Sequence, residues 1–285
     1  MKLAGEVAVI TGGASGIGRG SALAMARAGA DIVLADVNEA RLAQVAAEVA
    51  ALGRRVLAVH CDVARDDDVE ALASAAEATL GPVSVLMNNA GVVLRGALES
   101  IAVADWQWCL GINVFGVIRG IHAFLPRMIE RRRGYIVNTG SVAGLVALTG
   151  EGAPYVASKF AVVGLTEALA LYVRPFGIGV SLLCPGGVRT NLGETGRSIG
   201  MTPEREQAET RMARAVQGGA ELEPEDVGER VVAAIMAEQF LILPDEIHAD
   251  LIRRRGQDLN AFLKFRFASV SDPHPPLPRE GEGGF

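Results

Sequence analysis

The chain has 285 residues, 50% of them hydrophobic and 21% charged, which supplies apolar mass for one large core or two small ones and excludes a disordered polymer. Lysine and arginine number 27 against 33 acidic residues, and the resulting net charge of −6 lacks the basic excess of a phosphate-backbone binder, so nucleic acid is not an expected partner. The three cysteines, Cys61, Cys109 and Cys184, are scattered singly, outline neither a disulfide framework nor a metal-binding pair, and fit a reducing cytoplasm.

Short β-branched runs alternate with longer alanine-rich stretches along the chain. In order, the runs are VAVIT from Val7, DIVLAD from Asp31, RVLAVHCD from Arg55, VSVLMNN from Val83, GYIVNTGS from Gly134 and GIGVSLLCP from Gly177. Strands separated by helices require crossovers and hence a parallel sheet, and the uninterrupted apolar character of the runs implies helices on both faces. The expected fold class is therefore α/β, a doubly wound sheet. Gly29, Gly53 and Gly134 are read as helix C-terminal caps, and the cations Arg131 to Arg133 as offsetting a helix dipole. An acidic-partner patch is the alternative for that arginine run.

The run Val7 to Ile10 is too short for a signal-peptide core. The uncharged stretch between Arg133 and Glu151 is broken by glycine, Asn138, Thr139 and Ser141, so no membrane span is expected. The four histidines, at 60, 122, 248 and 274, show no ligand spacing, and no metal is expected. Trp106 and Trp108 read as packing residues. After Pro244 the composition shifts: residues 245–270 carry Arg253 to Arg255 and the apolar set Leu259, Phe262, Leu263, Phe265 and Phe267, a helical extension. Residues 271–285, rich in proline, glycine and charge, are expected to be disordered.

The segment TGGASGIG follows the first strand and opens a helix, placing Gly12, Gly16 and Gly18 where backbone N–H groups can approach a pyrophosphate. Asp36 ends the second strand 18 residues after Gly18, positioned to accept from a ribose 2′-hydroxyl and to repel a 2′-phosphate. With Ser15 and Val37 beside these positions, NAD is favoured over NADP, although Arg19 and Arg41 lie not far off. A second constellation is Tyr155 with Lys159 four residues later. Three tyrosines and three lysines in this length would yield such a pair by chance only ~0.03 times. On a helix the two share one face. A tyrosine base needs its pKa lowered by about 3 units, ~4 kcal/mol. One cation at ~5 Å in an effective dielectric of ~20 gives about 3.3 kcal/mol, so Lys159 is expected to supply most of it.

TGGASGIG, Cys61-Asp62-Val63, Asn88 to Gly91, Asn113, Ser141, Tyr155 to Lys159 and the PGGVRT run from Pro185, in this order between Leu3 and Thr190, resemble the short-chain dehydrogenase/reductase family, in its shorter branch. The resemblance implies a seven-stranded sheet in a single domain over residues 1–244. It implies that Tyr155 is the general acid/base, Ser141 holds the substrate oxygen, Lys159 also bonds the nicotinamide ribose, and Asn113 positions a proton-relaying water. It also implies cofactor contacts from Gly12, Ser15, Gly16, Ile17, Gly18, Asp62, Val63, Asn89, Ala90, Gly91, Pro185, Gly186, Val188 and Thr190.

The substrate is expected outside the carboxyl ends of the strands. Val93, Val142, Leu145, Leu148 and Leu192 are the candidate contacts, with residues 191–219 as a mobile lid. Their apolar character points to a bulky hydrophobic secondary alcohol or ketone. The helix bearing Tyr155 is apolar around much of its circumference, and related proteins pair it across a dimer, so a homodimer or homotetramer is expected. Two other readings stand beside an NAD-dependent dehydrogenase: an NADPH-dependent ketoreductase of the acyl-chain type, and a catalytically silent dinucleotide-binding sensor. The extension could cap the pocket or pack on a neighbouring chain.

Overall fold

The run Val7–Thr11 forms β1, whose residues alternate between two helical layers: Ala8 and Ile10 face one, Val7 and Val9 the other. Every residue of the strand is buried, as its unbroken apolar sequence demands. In this computed structural model the described residues are 1–147, 150, 152–202, 221–244 and 248–268. The strands are β1, β2 (Asp31–Asp36), β3 (Val56–His60), β4 (Val83–Asn88), β5 (Leu94–Gly96), β6 (Gly134–Thr139), β7 (Ile178–Leu183), β8 (Arg197–Ile199) and β9 (Leu241–Ile242). Seven of them form one parallel sheet in the order β3-β2-β1-β4-β6-β7-β9. The order reverses between β1 and β4, the position at which such sheets open a ligand crevice.

One layer consists of α1 (Gly16–Arg27), α2 (Glu39–Ala51) and α7 (Pro224–Ala237), which pack Leu23, Leu42, Val45, Val231 and Ile235 on the sheet. The other comprises α3 (Asp66–Leu80), α4 (Val103–Asn113), α5 (Phe115–Arg131) and α6 (Ala153–Val173), with Leu72, Phe124, Met128 and Leu169 in its core. Glycine lets α1 and α7 approach closely: a Cβ at Gly20 would lie 2.2 Å from the Pro224 carbonyl oxygen, and one at Gly228 would lie 2.4 Å from that of Gly20. The stretches Val103–Arg131 and Ala153–Phe176 are long and apolar enough to cross a bilayer by composition alone, but both flank the sheet and contribute to its core.

Gly29 and Gly53 follow α1 and α2 with φ of +96° and +74°, as expected of caps. Gly134 does not cap. Arg132 takes the left-handed position after α5, with φ of +50°, and Gly134 opens β6, where a Cβ would meet the Met128 side chain at 2.5 Å. The arginine run is structural: Arg131 reaches Glu77 at 2.9 Å, Arg132 the Pro175 carbonyl at 2.8 Å, and Arg133 binds Glu6.

The helical path breaks at Val114, between α4 and α5, and the Arg119 guanidinium donates to the Gly111 carbonyl at 3.2 Å there. A second, two-stranded sheet pairs β5 with β8, with Leu94 opposite Arg197 and Gly96 opposite Ile199. The described part of the expected lid, residues 191–202, is thus partly ordered: a short turn at Asn191–Gly193 precedes β8. Ile199 and Leu94 pack with Trp106, Trp108 and Cys109, and the Arg197 guanidinium lies 3.9 Å over Trp108 while binding Asp105 at 3.2 Å. Isolated three-residue strands carry too little periodicity to be read from sequence.

By internal contacts the chain divides into Met1–His248 and Ala249–Phe285. In the second unit, α8 (Ala249–Gln257) and α9 (Leu259–Ala268) are described; Asp250 binds Arg254 at 2.6 Å, and Arg254 lies 5.6 Å from the Phe265 ring. Leu148, residues 203–219 of the expected lid, residues 245–247 and the tail 271–285 lie outside the described residues.

Candidate active site

The turn from Thr11 to Gly18 bends β1 into α1 with Gly12 and Gly16 at φ of +64° and +49°, a conformation that favours glycine. Ser15 occupies the N-cap of α1 in extended conformation, and its side chain caps nothing, so the first-turn N–H groups remain available to an anion. Asp36 clamps this turn: its carboxylate accepts from Ala14 N–H at 3.1 Å and Asn38 N–H at 3.0 Å and keeps lone pairs for a further donor. A cleft of about 320 Å³ opens here. Its walls include Gly12, Ser15, Gly16, Ile17, Asp36, Asp62, Val63, Asn89, Ala90, Gly91, Tyr155, Lys159, Pro185 and Thr190. Gly18 lies behind it, where a Cβ would sit 2.0 Å from the Gly12 carbonyl oxygen. Val188, two residues beyond Gly186, bridges to Leu222 and packs on the α1 and α7 layer.

The α6 helix carries Tyr155 and Lys159 on the face toward the sheet. Lys159 is 5% exposed, donates from Nζ to the Thr139 carbonyl at 2.9 Å and lies 5.7 Å from the centre of the Tyr155 ring. Burial pulls its ammonium down to about 8. Burial also raises the Tyr155 phenol, against a hydrogen bond with Ser141 and the charge of Arg95, which favour the phenolate. In the protein alone, desolvation therefore outweighs the Ser141 hydrogen bond and the Arg95 charge, and the tyrosine is not held below its ordinary value. Ser141 Oγ accepts from Ala143 N–H at 3.1 Å, and the hydroxyl points at the Pro185 carbonyl at 3.5 Å. Burial pushes the Cys61 and Cys184 thiols up to about 12, which disfavours the nucleophilic thiolate at both.

Asn113, the last residue of α4, is buried. Its side chain accepts from Val92 N–H at 2.8 Å and donates to the Val92 carbonyl and to Ser158 Oγ, both at 2.9 Å. A Cβ at Gly91 would lie 3.2 Å from Asn113 Oδ1 and 3.6 Å from Lys159 Nζ, so glycine leaves open the gap between amide and ammonium. Sequence reasoning missed the polar braces around this site. Thr11 Oγ1 accepts from Asn89 and Ala90 N–H at 3.0 and 3.2 Å, and the Asn89 amide donates to the Thr11 carbonyl at 3.1 Å. Deeper, Asn88 donates to Asn138 at 2.9 Å and Asn138 to Thr166 at 3.0 Å, tying β4, β6 and α6 together. Single polar residues at strand ends look like turn residues until the sheet order makes them neighbours.

Of the expected substrate contacts, Leu192 lines the cleft. Val93 and Val142 are buried outside its lining, and Leu145 packs with Val117, Val162 and Val163. Among the described residues no cluster of three or more histidine, cysteine or acidic side chains could hold a metal ion.

The family model described as short chain dehydrogenase matches residues 6–198. The chain is 39% identical over 237 residues to Oxidoreductase UcpA of Salmonella typhimurium, covering 83% of this chain and 89% of that protein. It is 39% identical over 236 residues to 3beta-hydroxysteroid dehydrogenase 2 of Eggerthella lenta, covering 81% and 86%. A crystal structure of a Burkholderia phymatum short chain dehydrogenase/reductase in complex with NAD superposes with a TM-score of 0.84 at 36% identity, covering 98% of this chain and 99% of that one.

Proposed function

The chain belongs to the short-chain dehydrogenase family of oxidoreductases, and on that premise we propose that it transfers hydride between NAD and a bulky, largely apolar secondary alcohol or its ketone. The observation that carries this reading is the convergence of Tyr155, Lys159 and Ser141 at the end of the cleft opposite Asp36. The residues fit the dinucleotide. The uncapped start of α1 with Ser15, Gly16, Ile17 and Gly18 receives the pyrophosphate, and Asp36 accepts from the adenosine ribose. Asp62 and Val63 flank the adenine, Asn89, Ala90 and Gly91 floor the groove, and Pro185, Gly186, Val188 and Thr190 hold the carboxamide end. When bound, the oxidised nicotinamide supplies the hydride acceptor and a positive charge.

Tyr155 takes the alcohol proton as the carbon is oxidised and returns it in the reverse direction. The Ser141 hydroxyl orients the substrate oxygen toward the phenol. Lys159 stabilises the phenolate through space and bonds the neighbouring ribose. Asn113 positions the loop at Val92, and the gap left by Gly91 gives a water room to pass the proton on between its amide and Lys159. Leu192 and Val92 supply apolar wall, and a hydroxysteroid dehydrogenase among the relatives supports a bulky substrate.

The cations near the turn favour NAD over NADP. Arg19 binds Glu48 at 2.5 Å and also Glu225, Arg41 binds Glu194 at 3.1 Å, and Arg189 binds Glu223, so each is already held by a carboxylate. A second copy of the chain is the proposed cover for the apolar surface of α5 and α6, where Leu171 is 78% and Phe115 52% exposed. The cytoplasm is the proposed compartment. The test is absorbance near 340 nm with NAD or NADP and a panel of secondary alcohols. NADH formation supports the dehydrogenase, a preference for NADP supports the ketoreductase, and cofactor binding without turnover of any alcohol supports the sensor.

A further inference from the structure

We propose that Glu194 is a cofactor-specificity residue: by engaging Arg41 it withholds from a 2′-phosphate the cation that lines the Asp36 end of the cleft, and so disfavours NADP beyond the repulsion exerted by Asp36 itself. The proposal rests on the dinucleotide reading of the cleft. The start of α2 places Arg41 and Asp36 together. Asp36 accepts from Asn38 N–H at 3.0 Å, and the Asn38 side chain, at the N-cap of α2, accepts from Arg41 N–H at 3.0 Å. Asp36 and Arg41 both line the cleft. The other cation among its described lining residues, Lys159, stands with Tyr155 and the Thr139 carbonyl. Arg19 and Arg189 line an adjoining polar pocket instead, and their carboxylates come from α2, from α7 and from the N-cap of α7.

Glu194 meets Arg41 from 153 residues further along the chain. It follows the turn Asn191–Gly193 and precedes β8, which the pairing with β5 holds in place. On the other side Thr190 packs on the glycine turn, where a Cβ at Gly16 would lie 2.9 Å from Thr190 Cγ2. The neighbours Asn191, Leu192 and Thr195 line the cleft, so Glu194 is carried on its wall. Its two oxygens are divided: Oε1 accepts from the Asn191 amide at 2.7 Å and Oε2 from the Arg41 guanidinium at 3.1 Å. Asn191 and Arg41 hold its carboxyl below the ordinary range, so it meets the guanidinium as an anion. An exposed ion pair of this kind adds little to stability. Its consequence lies in what Arg41 can bind: a guanidinium matches a phosphate with paired hydrogen bonds, and here a carboxylate competes for the same donors.

The test titrates NADH and NADPH calorimetrically into the full chain, so that it reads binding and not turnover. Asp36→Ser supplies the background in which the repulsion from Asp36 is absent. There, Glu194→Gln is expected to raise the NADPH-to-NADH affinity ratio by a further tenfold or about that, the scale of a charge-assisted hydrogen bond. In Asp36→Ser/Arg41→Met the same Glu194→Gln change is expected to leave the ratio within about twofold, because the effect acts through Arg41. A ratio that Glu194→Gln does not move overturns the proposal. So does a rise that persists in the Arg41→Met background, which would make Glu194 a source of repulsion only. A wild type that prefers NADPH, together with the Arg41-dependent rise, would overturn the NAD reading and leave the Glu194 assignment standing. Binding of neither dinucleotide would overturn both.

Discussion

The Asn113 side chain grips the backbone of Val92 from both sides, accepting from its N–H at 2.8 Å and donating to its carbonyl at 2.9 Å. The pair ties the end of α4, where the helical path breaks, to the loop that floors the cleft. Asn113→Ala strips a buried N–H and a buried carbonyl of their partners, each worth about 1–3 kcal/mol. The variant is expected to lose about 2–4 kcal/mol in urea unfolding and to bind NADH more weakly by fluorescence titration. Unchanged stability would mean that water replaces the amide without loss.

Asp36 accepts two backbone N–H groups of the turn, and in the proposed NAD complex it would accept from the adenosine ribose. Replacing it by serine removes the charge that repels a 2′-phosphate. Asp36→Ser should move the NADP-to-NAD ratio of kcat/KM upward by about tenfold or more, since that discrimination is a difference of charge interactions. A ratio that stays in place would assign cofactor choice to other residues.

Gly20 and Gly228 bring α1 and α7 within backbone contact. Gly20→Ala drives a methyl group into the Pro224 carbonyl, and since backbone cannot swing aside as a side chain does, the helices must part. A loss of about 1–3 kcal/mol is expected, visible as a lower thermal midpoint. The same shift tilts the helix whose start is the proposed pyrophosphate site, so NADH affinity should fall with it.

Lys159 titrates at about 8 in the fold, against an ordinary value of 10.5. Between these values the unfolded chain keeps a proton that the folded chain has released, so this lysine's contribution to stability rises with pH through that window, by about 3 kcal/mol in all. Below pH 8 the buried charge is a net burden. Unfolding free energies of the wild type and Lys159→Met should therefore converge in the wild type's favour from pH 8 to 10.5. A pH-independent difference would show that the ammonium is solvated.

The sheet could be read before it was seen because its strands are buried on both faces and their sequences are correspondingly unbroken: Val7–Thr11 and Asp31–Asp36 coincide with the apolar runs. The glycine turn was legible for a similar reason, since Gly12 and Gly16 answer a local backbone requirement. Gly134 was misread because a glycine after a helix looks the same whether it caps the helix or yields to Met128 across the core. The β5–β8 pair stayed hidden because two three-residue strands, a hundred residues apart, meet only through the tertiary fold. The rise of the Tyr155 phenol in the protein alone was not legible in the sequence, since the desolvation that outweighs Ser141 and Arg95 is a property of the packed site.

The account centres on the Tyr155 hydroxyl as the group that moves the alcohol proton, and Tyr155→Phe removes that oxygen while keeping the ring in place. Initial rates of NADH formation with a secondary alcohol that the wild type oxidises, measured beside calorimetric NADH affinity, test this most directly. The predicted result is a fall in kcat of about 10²–10⁴-fold with NADH affinity held within a few-fold of wild type. Turnover equal to wild type in the phenylalanine variant would contradict the assignment.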